Sequence, residues 1–192
     1  MSGCRLCQLG TRPILGEGPT DAKILWIGEA PGAAEVVFGR PFIGPAGQFL
    51  RKNLLNGPIS ENSFVTNLLC CRPREGDHNA IPTPEQIENC RYHLVYLLDI
   101  LQPLRIIFVG RIAQLVIAPH AAKRGIWYSQ NVPHLIDANW CNKASIIHIY
   151  HPSYIRRRGG FKVRDRDHHV QEAYEQYENL RSYLLEFLNE NL

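Results

Sequence analysis

The sequence predicts an α/β protein, a three-layer α/β/α sandwich with a mostly parallel four-stranded central sheet. Short runs rich in Ile, Val and Phe alternate along the chain with longer segments of helical periodicity. Such alternation is typical of parallel sheets that are covered by helices on both faces. The 192 residues, 45% of them hydrophobic, are enough for one substantial core and too few for two ordinary domains. We therefore expect a single domain over residues 1–192.

Four strands and four helices are predicted in alternating order. The second helix has the clearest start, because Thr83 suits the N-cap, Pro84 the first helical position and Gln86 the closing residue of a capping box. The last helix is amphipathic, with apolar side chains at three- and four-residue spacing. The predicted strands are 24–27, 64–68, 105–109 and 145–150; the predicted helices are 46–55, 84–101, 112–118 and 170–188; residues 159–167 are predicted to form a loop.

The composition and the distribution of apolar residues predict neither a membrane protein nor a secreted one, and they do not identify a partner. The formal charge of +3 and the pI near 8.6 suit a polyanion, yet many proteins without such a partner share these values. No run approaches the roughly 18 apolar residues that a membrane span needs. The N-terminal segment also lacks the apolar core of a secretory signal. We therefore expect an intracellular, cytoplasmic protein with no membrane partner.

Polar residues follow three of the predicted strands. Glu29 comes directly after the first strand, with Glu35 close behind; Asn67 lies at the end of the second, and His151 follows the fourth. Ligands of open α/β sheets bind beyond the carboxyl ends of the strands, so these side chains are expected to share one crevice. Each alone is also explained as part of a turn, a strand end or a loop. The glycine-rich turn at 28–32 matches neither common nucleotide-binding motif.

An ordered set of motifs resembles the family-four uracil-DNA glycosylases. The motifs are GEAPG at 28–32, GRPFIGPAG at 39–47, VTN at 65–67, CRP at 71–73, TPE at 83–85 and HPSYI at 151–155. The resemblance covers about residues 4–155. It implies a monomeric, nucleoid-associated enzyme that flips uracil out of single- or double-stranded DNA. Such an enzyme hydrolyses the N-glycosidic bond and leaves an abasic site for base excision repair.

The resemblance assigns the base pocket to Asn67, Phe42 and Ala30. A carboxamide can accept from uracil N3–H while donating to O4, whereas cytosine presents the opposite order of groups. Asn67 is therefore expected to discriminate between these bases. An aromatic ring at Phe42 offers a flat apolar face to the extruded base.

Catalysis is assigned, again by resemblance, to His151, Glu29 and Glu35. Bond cleavage places negative charge on uracil O2 and positive charge on the sugar. His151 is expected to donate to O2, and Glu29 to stabilise the sugar cation or position water. Glu35 matches a second acidic position, which a solvated loop carboxylate would also explain.

The chain departs from the family pattern beside this pocket. Residues 33–36 are Ala-Ala-Glu-Val, where the family is strongly acidic, and Gly32 offers no bulk against 5-substituted pyrimidines. Two alternatives therefore stay open at this point. One is a glycosylase for a different or modified base, and the other is a catalytically inactive DNA-binding or inhibitory protein of the same fold.

Six cysteines are present in the chain. An all-thiolate set of ligands can bind either zinc or an iron–sulfur cluster, so the choice of iron rests on the resemblance. Cys70 and Cys141 are expected to be buried small apolar residues. The ligands implied for a structural [4Fe–4S] cluster are Cys4, Cys7, Cys71 and Cys90.

The segment after His151 is predicted to contact DNA. The resemblance places an apolar wedge there, which fills the gap left by the flipped nucleotide, with Tyr154 and Ile155 as candidates and Ile155 at the tip. A basic stretch follows that can contact phosphates, although a solvated loop would also explain it. Its first members are Arg156, Arg157 and Arg158. A loose resemblance also links His78 to the loop histidine of a relative that traps uracil covalently.

Overall fold

The computed structural model describes residues 12–110, 144–157 and 168–191, which are organised around a four-stranded parallel sheet. The sheet has the order β2-β1-β5-β6, and its strands are apolar because helices cover both faces. The predicted parallel sheet is thus confirmed. A separate antiparallel hairpin is formed by β3 and β4. The strands are β1 (Ile24–Gly28), β2 (Ser63–Asn67), β3 (Arg74–Glu75), β4 (His78–Asn79), β5 (Arg105–Val109) and β6 (Ser145–Ile149).

The described residues form the helices α1 (Ala33–Phe38), α2 (Pro45–Asn53), α3 (Pro58–Glu61), α4 (Pro84–Leu101), α5 (Pro152–Arg157) and α6 (His168–Asn191). The prediction for α4 is confirmed, and its capping box is present: Gln86 N–H donates to Thr83 Oγ1 at 3.2 Å, and Thr83 N–H donates to Gln86 Oε1 at 3.1 Å. Helices α2 and α6 differ from the prediction only at their ends. The short helices α1, α3 and α5 were not predicted, because so few residues show no periodic pattern. The predicted helix 112–118 and loop 159–167 lie outside the described residues.

Side chains of β1 alternate between two apolar cores, one on each face of the sheet. Ile24 and Trp26 pack in the core that contains Leu184 of α6, whereas Leu25 and Ile27 pack in the core of α4. Helices therefore cover both faces, and the three-layer α/β/α sandwich is confirmed. Among the described helices, none combines the length and the apolar composition that crossing a bilayer requires.

An extended segment, residues 14–18, runs along the outer edge of β2. Glu17 N–H donates to Val65 O at 3.0 Å, and Val65 N–H donates to Glu17 O at 2.8 Å, which forms an antiparallel bridge. The pairing fixes the edge strand that ends at Asn67.

Candidate active site

A cavity of about 910 Å³ opens at the carboxyl edge of the sheet. At least one residue from the end of each parallel strand, or from the loop after it, reaches the cavity, as open parallel sheets favour. The volume is in the range of ligand-binding clefts. The sequence-predicted pocket and catalytic residues all line this cavity: Glu29, Ala30, Glu35, Phe42, Asn67 and His151.

Asn67 and Phe42 meet above Gly28. A Cβ atom at position 28 would collide with both Asn67 Oδ1 and the Phe42 ring, so glycine is what allows the two side chains to approach each other. Asn67 is 3% exposed, and its carboxamide has no hydrogen-bond partner among the described residues. A polar edge beside a flat apolar face suits a planar heterocycle that carries its own donors and acceptors.

The backbone of Phe42 is held in a conformation that bulky residues rarely adopt, with φ at 54°. Arg51 donates from Nε to Phe42 O and from Nη2 to Pro41 O, each at 3.0 Å. Gly47 in α2 has no Cβ atom, and one there would collide with the Phe42 backbone. Sequence reasoning assigned no role to Arg51 or Gly47, because their contacts arise only when α2 packs against this loop.

His151 is neutral and has a defined tautomer. Its Nδ1 accepts from Ser153 N–H at 3.2 Å and lies 2.7 Å from Ser153 Oγ. Burial, and to a smaller extent the charge of Arg157, lowers the pKa of His151 to about 4. A neutral imidazole whose Nδ1 accepts carries its proton on Nε2. His151 therefore offers one N–H donor without a positive charge at neutral pH.

The two predicted carboxylates have different environments. Burial raises the pKa of Glu29, and its carboxylate has no hydrogen-bond partner among the described residues. The Glu35 carboxylate instead accepts from Gly32 N–H and, at 3.4 Å, from Gly44 N–H. Glu35 therefore ties together the turns that precede α1 and α2, whereas Glu29 can interact with a ligand or with water.

The expectation that Ile155 forms the tip of a DNA wedge is wrong. Its side chain is 0% exposed and packs in the core that contains α6. Pro152 and Ile155 are buried together because residues three apart share one face of α5. A side chain packed in the core cannot enter a duplex. Tyr154 is half-buried, with its ring stacked 5.5 Å from that of Tyr150.

One of the predicted basic residues, Arg157, lies at the cavity. Arg156 and Arg157 are exposed in the last turn of α5, and Arg157 also lines the cavity. Arg158 lies outside the described residues. The geometry of the first two suits contact with an anion near the cavity mouth.

The β3–β4 hairpin forms part of the cavity rim and was missed in the sequence. Arg72 holds it, donating from Nε to Asn79 Oδ1 at 2.6 Å and from Nη2 to Asp77 O at 2.8 Å. Asn79 and Ile81 line the cavity as a result. His78 is exposed and is absent from the described cavity wall. Two-residue strands are too short to show alternation, but the Gly76-Asp77 pair of the turn is a local hairpin signal that could have found it.

The described cysteines fit thiolate ligands. Cys71 is buried and Cys90 is partly buried. Cys70 N–H donates to Cys90 Sγ at 3.2 Å, and hydrogen bonding from Cys70 lowers the pKa of Cys90 to about 7, which favours its thiolate. Cys70 is buried, as expected. Within the described ranges no group of three metal-binding side chains occurs, and outside those ranges lie Cys4, Cys7 and Cys141.

Comparison with known proteins agrees with this fold and site. A family model described as the uracil DNA glycosylase superfamily matches residues 15–178, so the chain belongs to that superfamily. Type-4 uracil-DNA glycosylase of Archaeoglobus fulgidus is 35% identical over 81% of this chain and 79% of its own length. The Thermotoga maritima protein of the same name is 32% identical over 84% of this chain and 82% of its own length. Similarity to type-4 glycosylases confirms the resemblance drawn from the motifs.

Proposed function

We propose that the chain is a monofunctional uracil-DNA glycosylase, which hydrolyses the N-glycosidic bond of uracil flipped out of DNA and leaves an abasic site. One observation carries the proposal: the Asn67 carboxamide, the Phe42 ring and the His151 donor line one cavity with the partly buried Glu29. The names of the two relatives described above support the same substrate.

Asn67 selects the base in this proposal. Its Oδ1 accepts from uracil N3–H, and its Nδ2 donates to O4. Cytosine would set its exocyclic amine against Nδ2, which places two donors together, and its N3 lone pair against Oδ1, which places two acceptors together. Neither pair could form a hydrogen bond, and both would be buried. Stacking on Phe42 adds affinity for any pyrimidine and contributes little to the choice between them.

His151 and Glu29 act on the breaking bond. As the C1′–N1 bond breaks, its electron pair moves to the base and charge develops on O2, which His151 Nε2–H stabilises by a strengthening hydrogen bond. The ionised Glu29 carboxylate stabilises the cation on the sugar and orients the water that attacks C1′. Both interactions are stronger in the transition state than in the bound substrate, which is the condition for catalysis.

The proposed partner is single- or double-stranded DNA that contains uracil. The proposed phosphate contacts are Arg156, Arg157 and Arg158. Support comes from the exposure of Arg156 and Arg157 and from the position of Arg157 in the cavity lining. Contacts of this kind position the strand and carry no base information.

The proposed cofactor is a [4Fe–4S] cluster with a structural role. Cys71 lies in the loop after β2 and Cys90 lies in α4, so a cluster bound there would connect the strand that carries Asn67 to the next helix. The proposed ligands are Cys4, Cys7, Cys71 and Cys90, and metal bonds of this kind stabilise the folded chain.

Release of free base from oligonucleotides tests the proposed function. Iron-loaded protein is incubated with single- and double-stranded DNA containing one uracil, and with matched strands containing thymine, hypoxanthine or cytosine at the same position. We expect alkali-labile abasic sites in the uracil strands only. Cleavage of a different base, with uracil left intact, would contradict the assignment of substrate, and cleavage of none would contradict the assignment as an enzyme.

A further inference from the structure

The position of the Phe42 ring depends on a network outside the residues assigned above. The left-handed backbone of Phe42 is unfavourable for a residue with a large side chain, so its surroundings must hold it there. The two hydrogen bonds from Arg51 to the carbonyls of Pro41 and Phe42 do so directly. The planar guanidinium donates in fixed directions, which makes these bonds geometrically specific.

Glu17 holds Arg51 in place. The Arg51 Nη2 group donates to Glu17 Oε1, and both side chains are only about one-quarter exposed, at 27% and 26%. Partial burial acts to raise the pKa of Glu17, but the combined hydrogen bonds and charges of Arg40 and Arg51 outweigh it and lower that pKa below its ordinary value. Glu17 is therefore ionised at neutral pH, and the pair is less screened than a surface ion pair.

Glu17 is also hydrogen-bonded to the strand that carries Asn67. The backbone of Glu17 pairs with Val65 of β2 in both directions, at 3.0 and 2.8 Å. Glu17 thus contacts the Asn67 strand through its backbone and the Phe42 loop through its carboxylate and Arg51. The two sides of the base pocket are fixed relative to each other by one short chain of contacts.

We propose that Arg51, held by Glu17, is a positioning residue that sets the place of the Phe42 ring relative to Asn67 and so determines the affinity of the pocket for the flipped base. This inference rests on the proposed function. It concerns base affinity, while phosphate contacts and bond cleavage depend on other residues.

Arg40 provides a matched control. It also pairs with Glu17, at 2.7 Å, but its side chain is 62% exposed and no hydrogen bond from it to the backbone of the Phe42 loop is found among the described residues. Replacing either arginine with glutamine removes one positive charge near the same carboxylate. Only Arg51→Gln removes the donors to the Pro41 and Phe42 carbonyls.

The test compares binding to two DNA strands, one with an uncleavable uracil nucleotide and one with an abasic-site analogue at the same position. The affinity for the uracil strand divided by the affinity for the abasic strand reports the contribution of the base alone. Phosphate contacts and global folding affect both affinities equally and cancel in this ratio. We expect Arg51→Gln to lower this ratio about tenfold, within the range that one base–aromatic stack contributes. Arg40→Gln should leave the ratio unchanged. Glu17→Gln, which keeps the backbone pairing with Val65, should lower it less than Arg51→Gln does.

A double-mutant cycle shows whether Arg51 acts through Phe42. In a Phe42→Ala background, Arg51→Gln should have no further effect on the ratio. The inference would be overturned if Arg51→Gln lowered the ratio equally in the wild-type and Phe42→Ala backgrounds, or left the wild-type ratio unchanged. Either result would leave the proposed function intact. A wild-type protein that binds the two strands equally would instead overturn the proposed function, and the inference with it.

Discussion

The backbone N–H of Ser153 donates to Nδ1 of His151 at 3.2 Å, which leaves the single ring proton on Nε2. Because burial lowers the pKa of His151 to about 4, the ring stays in this form through the neutral range. The histidine is thus a neutral donor, so it can stabilise charge on a leaving base without transferring its proton.

Replacing His151 with alanine should slow single-turnover cleavage of uracil DNA by roughly 100- to 1,000-fold, the effect of losing one oxyanion donor. Affinity for DNA and base preference should change little, since the lost bond strengthens only as charge develops on O2. Rates are measured with saturating enzyme. His78→Ala is the matched control, because His78 is exposed and lies outside the cavity wall. A wild-type rate in His151→Ala would show that His151 does not contact the reacting base.

Asn67→Asp should change selectivity as well as rate. The substitution replaces an amide donor with an anionic acceptor, which repels uracil O4 at neutral pH. Part of the uracil activity should return as the pH falls and the new carboxyl becomes protonated, and the cytosine-to-uracil rate ratio should rise. The measurement is base release from paired U- and C-containing strands across pH. Full uracil activity with unchanged selectivity would contradict the proposed contact between Asn67 and the base.

Glu29 should control the acidic limb of the pH–rate profile. Burial raises its pKa above the ordinary 4.5, so activity should fall as the pH drops through that raised value. Glu29→Gln should lower the rate by roughly 10²–10³ and remove this limb, as expected for loss of one electrostatic contact that stabilises the transition state. Glu61→Gln, on the exposed end of α3, should leave the profile unchanged.

Glu29→Gln should also stabilise the folded protein. The pKa of Glu29 is higher in the folded chain than in the unfolded chain. At pH values between these two pKa values the folded state therefore binds more protons than the unfolded state. The free energy of unfolding consequently falls as the pH rises through this interval. At neutral pH the buried charge therefore lowers the free energy of unfolding. Thermal denaturation at pH 7 should show a higher Tm for Glu29→Gln than for wild type, and a lower Tm would contradict the burial argument.

Gly28→Ala should damage the base pocket through sterics alone. The new methyl group would collide with Asn67 Oδ1 and the Phe42 ring. Overpacking of this kind lowers the free energy of unfolding by about 1–3 kcal/mol. Displacement of the Asn67 and Phe42 side chains should also weaken binding of the base. Gly44→Ala is the control, because a Cβ atom there makes ordinary contact with Glu35 Oε1 at 3.6 Å. Binding to strands with an uncleavable uracil nucleotide measures both variants.

Removal of a cluster ligand should remove colour and solubility together. Purified protein is expected to be brown, and Cys71→Ser or Cys90→Ser should lose visible absorbance and bound iron, since cluster binding contributes to folding. Cys141→Ser should keep both. Iron analysis and absorbance spectra of anaerobically prepared protein are the measurements, and stoichiometric zinc in place of iron would contradict the proposed cofactor.

Long elements and strand-end residues could be predicted from the sequence, because their signals are local. The apolar run of β5 and the capping box at Thr83 each specify an element without reference to the rest of the chain. The gathering of Asn67 and His151 at one cavity followed from the parallel sheet alone.

The errors concern contacts that only packing decides. The resemblance places Ile155 at the tip of a wedge, but the helix that begins at Pro152 turns this side chain into the core. The catalytic role of Glu35 stays a prediction, and nothing in the sequence indicated that two backbone N–H groups donate to its carboxylate. Arg51 was missed for the same reason, since its carbonyl partners lie nine and ten positions away.

Segment 14–18 covers part of the outer edge of the sheet, where another copy of the protein could otherwise bind. Strand β2 is at one end of the sheet, and an uncovered edge strand can pair with the strand of another molecule and start aggregation. The antiparallel bridge between Glu17 and Val65 occupies backbone groups on that outer side. A neighbouring chain therefore cannot extend the sheet by pairing at Val65, so the segment that helps shape the base pocket also protects this edge from self-association.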